Sequence, residues 1–197
     1  HITEGGISEM AYQQEPNQII WLVRGDGELV GFTYQREQQV TAWHRHIFGG
    51  AFGSGKAVCE SVAVIPTDDT EYEVYVIIKR TINGATKRYI EVLNTFDFTN
   101  TDNTTFNFLD SQLDYNGSAT TTISGLSHLE GQTVSILADG ATHADKVVSS
   151  GSITLDRSST KVKVGLAYTS LLQTMRIDAG ARDGTSQSKT KRIYEIT

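Results

Sequence analysis

Short runs of β-branched and aromatic residues alternate along this chain with polar or glycine-bearing breaks, and that rhythm predicts strands. Ile19–Val23 is apolar and is followed by Gly25-Asp26-Gly27, a tight hairpin turn in which glycine supplies positive φ. Leu29–Tyr34 reads as the return strand, Gln35–Gln39 as a polar turn, and Val40–Phe48 as the next strand. A glycine-rich loop from Gly49 to Gly55 leads into Ala57–Ile65, closed by Pro66. Tyr72–Ile82 and Thr86–Leu93 flank Asn83-Gly84, the strongest short-range hairpin signal in the sequence.

The same rhythm continues with shorter runs. Strands are expected at Phe106–Leu109, Ala119–Ile123, Thr133–Ala138, Lys146–Val148, Ser152–Leu155, Lys161–Gly165 and Leu172–Ile177, with a hairpin turn at Asp139-Gly140. Between the two series lies a polar, turn-rich stretch, Asn94–Asn103. It is read as a boundary. Both tryptophans, Trp21 and Trp43, precede it, and most threonines follow it.

The expected fold class is therefore all-β. Residues 1–95 should form antiparallel blade-like sheets, a propeller-like fragment. The Ile19–Tyr34 pattern recurs loosely 55 residues later, at Val74–Leu93, near the spacing of propeller blades. Residues 98–190 should form an inserted small β-barrel or sandwich. Residues 191–197 carry the alternating Lys191–Ile196 run and are expected to return as a strand to the first domain. Trp21, Trp43, Val62, Val64 and Val76 are the expected core.

Composition narrows the classes. With 17 Lys+Arg against 23 Asp+Glu the net charge is −6, which argues against a phosphate-gripping surface. Two prolines and 20% charged residues exclude a disordered chain. No run approaches eighteen apolar residues, so no membrane anchor is expected. The single cysteine cannot form an internal disulfide, leaving stability to apolar burial. The first residues have neither basic head nor apolar core and lack Met, as expected of a piece cut from a longer chain.

Candidate chemistry is sparse. Gly50-Ala51-Phe52-Gly53-Ser54-Gly55-Lys56-Ala57 approaches a phosphate-binding loop. However, Ala57 lacks the Mg²⁺-binding hydroxyl, and a strand follows where a helix is needed. His44 and His46 share one strand face and could place two imidazoles on one metal, with Cys59 or Glu60 as a third ligand; an ordinary sheet face explains them equally simply. Arg24-Gly25-Asp26 matches an integrin-binding tripeptide but sits in a hairpin turn. Asp110 and Asp114 are a weak glycosidase pair. His128 and His143 sit in turns, and Asn103 and Asn116 begin glycosylation sequons. Cys59 lies on a strand between apolar neighbours, the setting of an inert thiol. No catalytic, cofactor or metal residue is assigned, and no enzymatic activity is expected.

Several strings, in their order, resemble one family. Trp21–Leu29, Thr33-Tyr34, Gln39–His46, Ser61–Pro66 and Lys79–Gly84 followed by Tyr89-Ile90-Glu91 resemble the tail-nozzle proteins of short-tailed phages. That family is called tail tubular protein B, or packaged-DNA stabilisation protein. Ile123–Gly131, Val134–Gly140, Gly151–Leu155 and Val164–Ser170 resemble a module inserted in phage tail proteins. It is similar to the first catalytic cysteine half-domain of ubiquitin-activating enzymes. The module here holds no cysteine, so thiol-ester transfer has no nucleophile. The resemblance implies a structural component of the virion tail and a homo-oligomeric ring in the full-length protein. It also implies contacts with other tail proteins, and a lumen that carries DNA without sequence-specific binding. The alternatives are an adhesion module contacting host glycans, through Tyr115 or Tyr168, or another tail protein, and a cell-envelope hydrolase.

Overall fold

The computed structural model describes residues 2–67, 71–94 and 99–172. Among them the chain is built from antiparallel strands with a single three-residue 3-10 turn, Ser127–Leu129. The fold is all-β, as the alternation requires. Strands β1 (Ile7–Gln13), β2 (Ile19–Arg24), β3 (Leu29–Gln35) and β4 (Val40–His46) form a meander in that order. A small hairpin follows, β5 (Ala51–Phe52) and β6 (Gly55–Lys56). Then β7 (Val58–Pro66), β8 (Tyr72–Ile82) and β9 (Ala85–Leu93) form a three-stranded sheet. The remaining strands, β10 (Asp110–Ser124), β11 (Thr133–Ala138), β12 (Ala141–Val147) and β13 (Ser152–Leu166), form a sheet in the order β10-β13-β11-β12. No described strand pairs across residues 94–110. The described sheets are open. As expected of antiparallel blade-like sheets with a small barrel or sandwich, the strands pair antiparallel throughout; among the described residues they form four sheets and close no barrel or propeller.

Local sequence explains the turns. Asn83 and Gly84 both take positive φ (48° and 73°), as do Asp139 and Gly140 (50° and 76°). Two left-handed central residues match the twist of an antiparallel pair, and Asn-Gly and Asp-Gly tolerate that conformation best. β8 shows what alternation does. Val74, Val76, Ile78, Arg80 and Ile82 are buried, while the intervening side chains are partly exposed.

The inner faces of the β1–β4 and β7–β9 sheets close on one core. Trp21, Val23 and Leu29 pack there with Phe48, Ala57, Cys59, Val62, Val74, Val76 and Ile78. Burying each large side chain contributes about 1.5–3 kcal/mol. Gln13 satisfies the polar groups enclosed with them. Its Oε1 accepts from Trp21 Nε1 at 3.0 Å, and its Nε2 donates to the carbonyls of Glu15 and Tyr72 at 3.1 and 3.2 Å. A second core fills one side of the β10–β13 sheet, with Ile123, Leu126, Leu129, Val134, Val148, Ile153, Val162 and Val164 among its members.

Four expectations are corrected. Trp43 is not core: it is 45% exposed, because it stands one residue out of phase with the inward-facing His44. Phe106–Leu109 is irregular, and Ser152–Leu155 with Lys161–Gly165 is one continuous strand. Ala119–Ile123 is the end of a longer strand, since Thr and Ser-rich segments sustain β pairing without an apolar signal. β1 carries Ile7, Met10, Ala11 and Tyr12 without a strict two-residue alternation, and β5 and β6 are two residues each, so neither announces itself in the sequence. Lys191–Ile196 and most of Leu172–Ile177 lie outside the described residues, as do residues 95–98 of the expected boundary.

Candidate functional site

A buried polar cluster sits where the loop after β4 meets the start of β10. Arg80 is fully buried on the inward phase of β8. Its Nε donates to the Gly49 carbonyl at 2.8 Å, and its two terminal nitrogens form a fork on the Glu91 carboxylate. The next backbone group, Gly49 N–H, donates to Asp110 Oδ2 at 2.6 Å, which ties the loop after β4 to the start of β10. Burial pushes the Asp110 carboxyl above its ordinary value, while the Gly49 N–H and the Arg80 charge oppose that shift. Space here is tight. A Cβ on Gly49 would lie 2.7 Å from the Ala167 carbonyl oxygen, and one on Gly50 would lie 3.0 Å from both Arg80 Cδ and Leu166 Cδ1. Nearby, the Tyr89 and His128 rings meet edge-on at 6.2 Å, and His128 Nε2 lies 3.0 Å from the Ser111 carbonyl. This junction links the halves through charge and backbone bonds.

Sequence reasoning passed over Arg80 and Glu91. A signal was present: Arg80 falls on the phase of Val74, Val76 and Ile78, so strict alternation already pointed a cation inward. Nothing local identified Glu91 as its partner, because the fork forms between neighbouring strands.

His44 and His46 do converge. His44 Nδ1 and His46 Nε2 are 2.7 Å apart, one nitrogen donating to the other, and Thr33 Oγ1 lies 3.1 Å from His44 Nε2. Both rings meet Trp21 edge-on, at 5.6 and 5.1 Å. The pair fits because Gly31 leaves room: a Cβ there would clash with the His44 ring. Burial lowers the pKa of both, and His46, with His44 beside it, falls to about 4. The proposed third ligands point elsewhere. Cys59 is in the core, its Sγ 3.5 Å from the Ser61 carbonyl and its thiol pushed up by burial to about 12. Glu60 bonds Arg88 and Lys79, which hold its carboxyl down to about 2. Among the described residues, no three of His, Cys, Asp and Glu stand where they could share a metal ion.

The glycine loop after β4 folds as the β5–β6 hairpin and runs into β7, without a helix. Lys56 reaches the buried Glu28 carboxylate, which also receives Arg24 at 3.4 Å and Arg45 at 3.5 Å. Arg24 further pairs with Asp26 at 2.8 Å, so the Arg-Gly-Asp tripeptide is closed on itself. Asp114 binds Lys163 at 2.7 Å, while Asp110 serves Gly49; the two carboxylates have separate partners. Tyr115 packs against the second core, its hydroxyl donating to the Ser118 carbonyl at 2.6 Å, whereas Tyr168 is exposed. His143 accepts from the Asp156 N–H at 2.9 Å, and Asn103 Nδ2 donates to the Gly140 carbonyl at 3.0 Å.

The outer sheet faces are apolar too. On the β1–β4 sheet the register places Tyr12, Ile20, Phe32 and Trp43 in one row across all four strands. Phe32 and Trp43 rings are 4.4 Å apart, and Tyr34 stacks on Phe32 at 6.3 Å. Met10 beside them is 67% exposed. On the β7–β9 sheet Ile77 faces Ile90, which is 74% exposed, and Tyr75 faces Val92. Compared with known proteins, the chain matches no protein-family model and no curated protein.

Proposed function

We propose that this chain is a structural component of a bacteriophage tail nozzle, part of an oligomeric ring that conducts and retains DNA. One observation carries the reading: large apolar side chains stand in water on the outer faces of two packed sheets, where an assembly would cover them. The ordered strings from Trp21–Leu29 to Val164–Ser170 support the nozzle assignment. The net charge of −6 supports a passage for DNA, because acidic walls repel phosphate and leave the duplex mobile. In this role the buried junction at Arg80 holds the halves in register, and function resides in surfaces. Mass spectrometry of purified virions, with immunogold labelling by antibody against this chain, tests the assignment. Label at the tail below the capsid is expected. Absence of the chain from virions refutes it.

A further inference from the structure

We infer that this chain cross-links itself, forming an isopeptide bond between the Lys163 amine and the side-chain carbonyl carbon of Asn107. The inference rests on local chemistry and not on the nozzle assignment. Lys163 stands on β13 between Val162 and Val164, which belong to the second core. Alternation therefore aims it at the opposite face of the sheet. It is nevertheless only 8% exposed, because the segment before β10 runs over that face. Three contacts hold this segment down. Asn103 Nδ2 donates to the Gly140 carbonyl at 3.0 Å, Lys161 Nζ donates to Thr104 Oγ1 at 3.1 Å, and Lys163 Nζ donates to Asn107 Oδ1 at 2.7 Å. Gly165 permits the approach: a Cβ there would lie 2.8 Å from the Asp110 carbonyl oxygen and from Leu109 Cβ.

A lysine buried for structure alone needs a counter-charge. Here the parts of an amide exchange converge. Asp114 is the cross-strand partner of Lys163 in the β10–β13 register, and its Oδ2 lies 2.7 Å from Lys163 Nζ. That is within reach of direct proton transfer. Gln112 Nε2 donates to Asn107 Oδ1 and to Asp114 Oδ1, each at 2.6 Å. Gln112 Oε1 is buried with no hydrogen-bond partner, so the amide is placed by its donor end. The Asn107 carbonyl oxygen thus receives two donors, at the atom where negative charge develops during attack on its carbon. Nucleophile, base, electrophile and oxyanion donor stand within hydrogen-bond reach of one another.

The step balances without oxidant or cofactor. Lys163 passes a proton to Asp114, and the free amine attacks Asn107 Cγ. Asp114 hands that proton to Nδ2, the Cγ–Nδ2 bond breaks, and ammonia leaves. The surplus proton on the new amide nitrogen follows through Asp114, so the product released is ammonium and Asp114 is regenerated. The bond closes a loop of 56 positions. It restricts the unfolded chain as a disulfide would, in a protein whose lone cysteine cannot form one internally.

Intact-mass and tandem mass spectrometry of the full chain, folded at neutral pH, test this. The wild type should weigh one ammonia less than its sequence. Trypsin should release residues 89–146 joined to residues 162–176, with Lys163 uncleaved. Lys163→Arg, Asn107→Ala and Asp114→Asn should each carry the full sequence mass. Asn107 is exposed, so its variant keeps the test decisive should the Lys163 variant fail to fold. A wild type at full sequence mass would overturn the inference and leave Lys163 an ordinary ion pair with Asp114. Asn83-Gly84 and Asn116-Gly117 can also lose ammonia, as succinimides. A deficit that maps to Asn83 or Asn116, or that persists in Lys163→Arg, would overturn it equally.

Discussion

Replacing Arg80 by methionine should destabilise the chain by about 3–5 kcal/mol, because it removes one partner of a buried charged pair and leaves the other behind. Arg80 is fully buried, and its guanidinium makes three bonds, two to Glu91 and one to the Gly49 carbonyl. Glu91 retains only 15% side-chain exposure, so water can restore little of what it loses. A hydrogen bond to a charged group contributes about 1.5–3 kcal/mol, and part of that loss is offset by the greater ease of burying methionine. Replacing both partners, Arg80→Met with Glu91→Leu, removes the stranded carboxylate and should recover at least half of the loss. Urea titration followed by circular dichroism gives the four free energies of the cycle. At about 2–4 °C per kcal/mol, the single variant should also melt some 6–20 °C lower. An Arg80→Met loss under 1 kcal/mol, or a double variant less stable than either single one, would refute the reasoning.

The imidazole pair predicts a pH dependence. His46 titrates near 4 in the folded chain against 6.5 when free, and His44 is lowered as well. The unfolded chain therefore binds more protons below 6.5, so stability is full above that pH and falls between 6.5 and about 4. The loss for His46 should be on the order of 3 kcal/mol, and His46→Phe should flatten that limb of a stability-versus-pH curve. Gly31→Ala should destabilise the chain by about 1–3 kcal/mol by driving a methyl into the His44 ring; unchanged denaturant midpoints would contradict the packing. Trp21→Ala should cost about 3–5 kcal/mol, whereas Trp43→Ala should cost about 1 kcal/mol or less, and acrylamide should quench Trp43 fluorescence far more than that of Trp21. Zinc should leave the melting temperature unchanged in wild type and in His44→Ala alike, since each imidazole already engages the other; a rise confined to wild type would show a metal clip.

Local rules determined the strands and their turns from sequence alone. A two-residue period with β-branched side chains has one stable expression, and Asn83-Gly84 and Asp139-Gly140 encode their own left-handed turns. Tyr72–Ile82 and Thr133–Ala138 could be read to the residue. Long-range facts were not encoded locally. Trp21 and Trp43 look alike in sequence, yet one is core and the other surface, because burial depends on which sheet face meets a second sheet. Sequence placed His44 and His46 on one face, but only the space above Gly31 brings their nitrogens together, and the inward aim of that face lowers their affinity for protons. The Arg80–Glu91–Gly49–Asp110 junction joins residues up to 61 positions apart. Its members become partners only when folding removes water and leaves each charge with no other group to answer it.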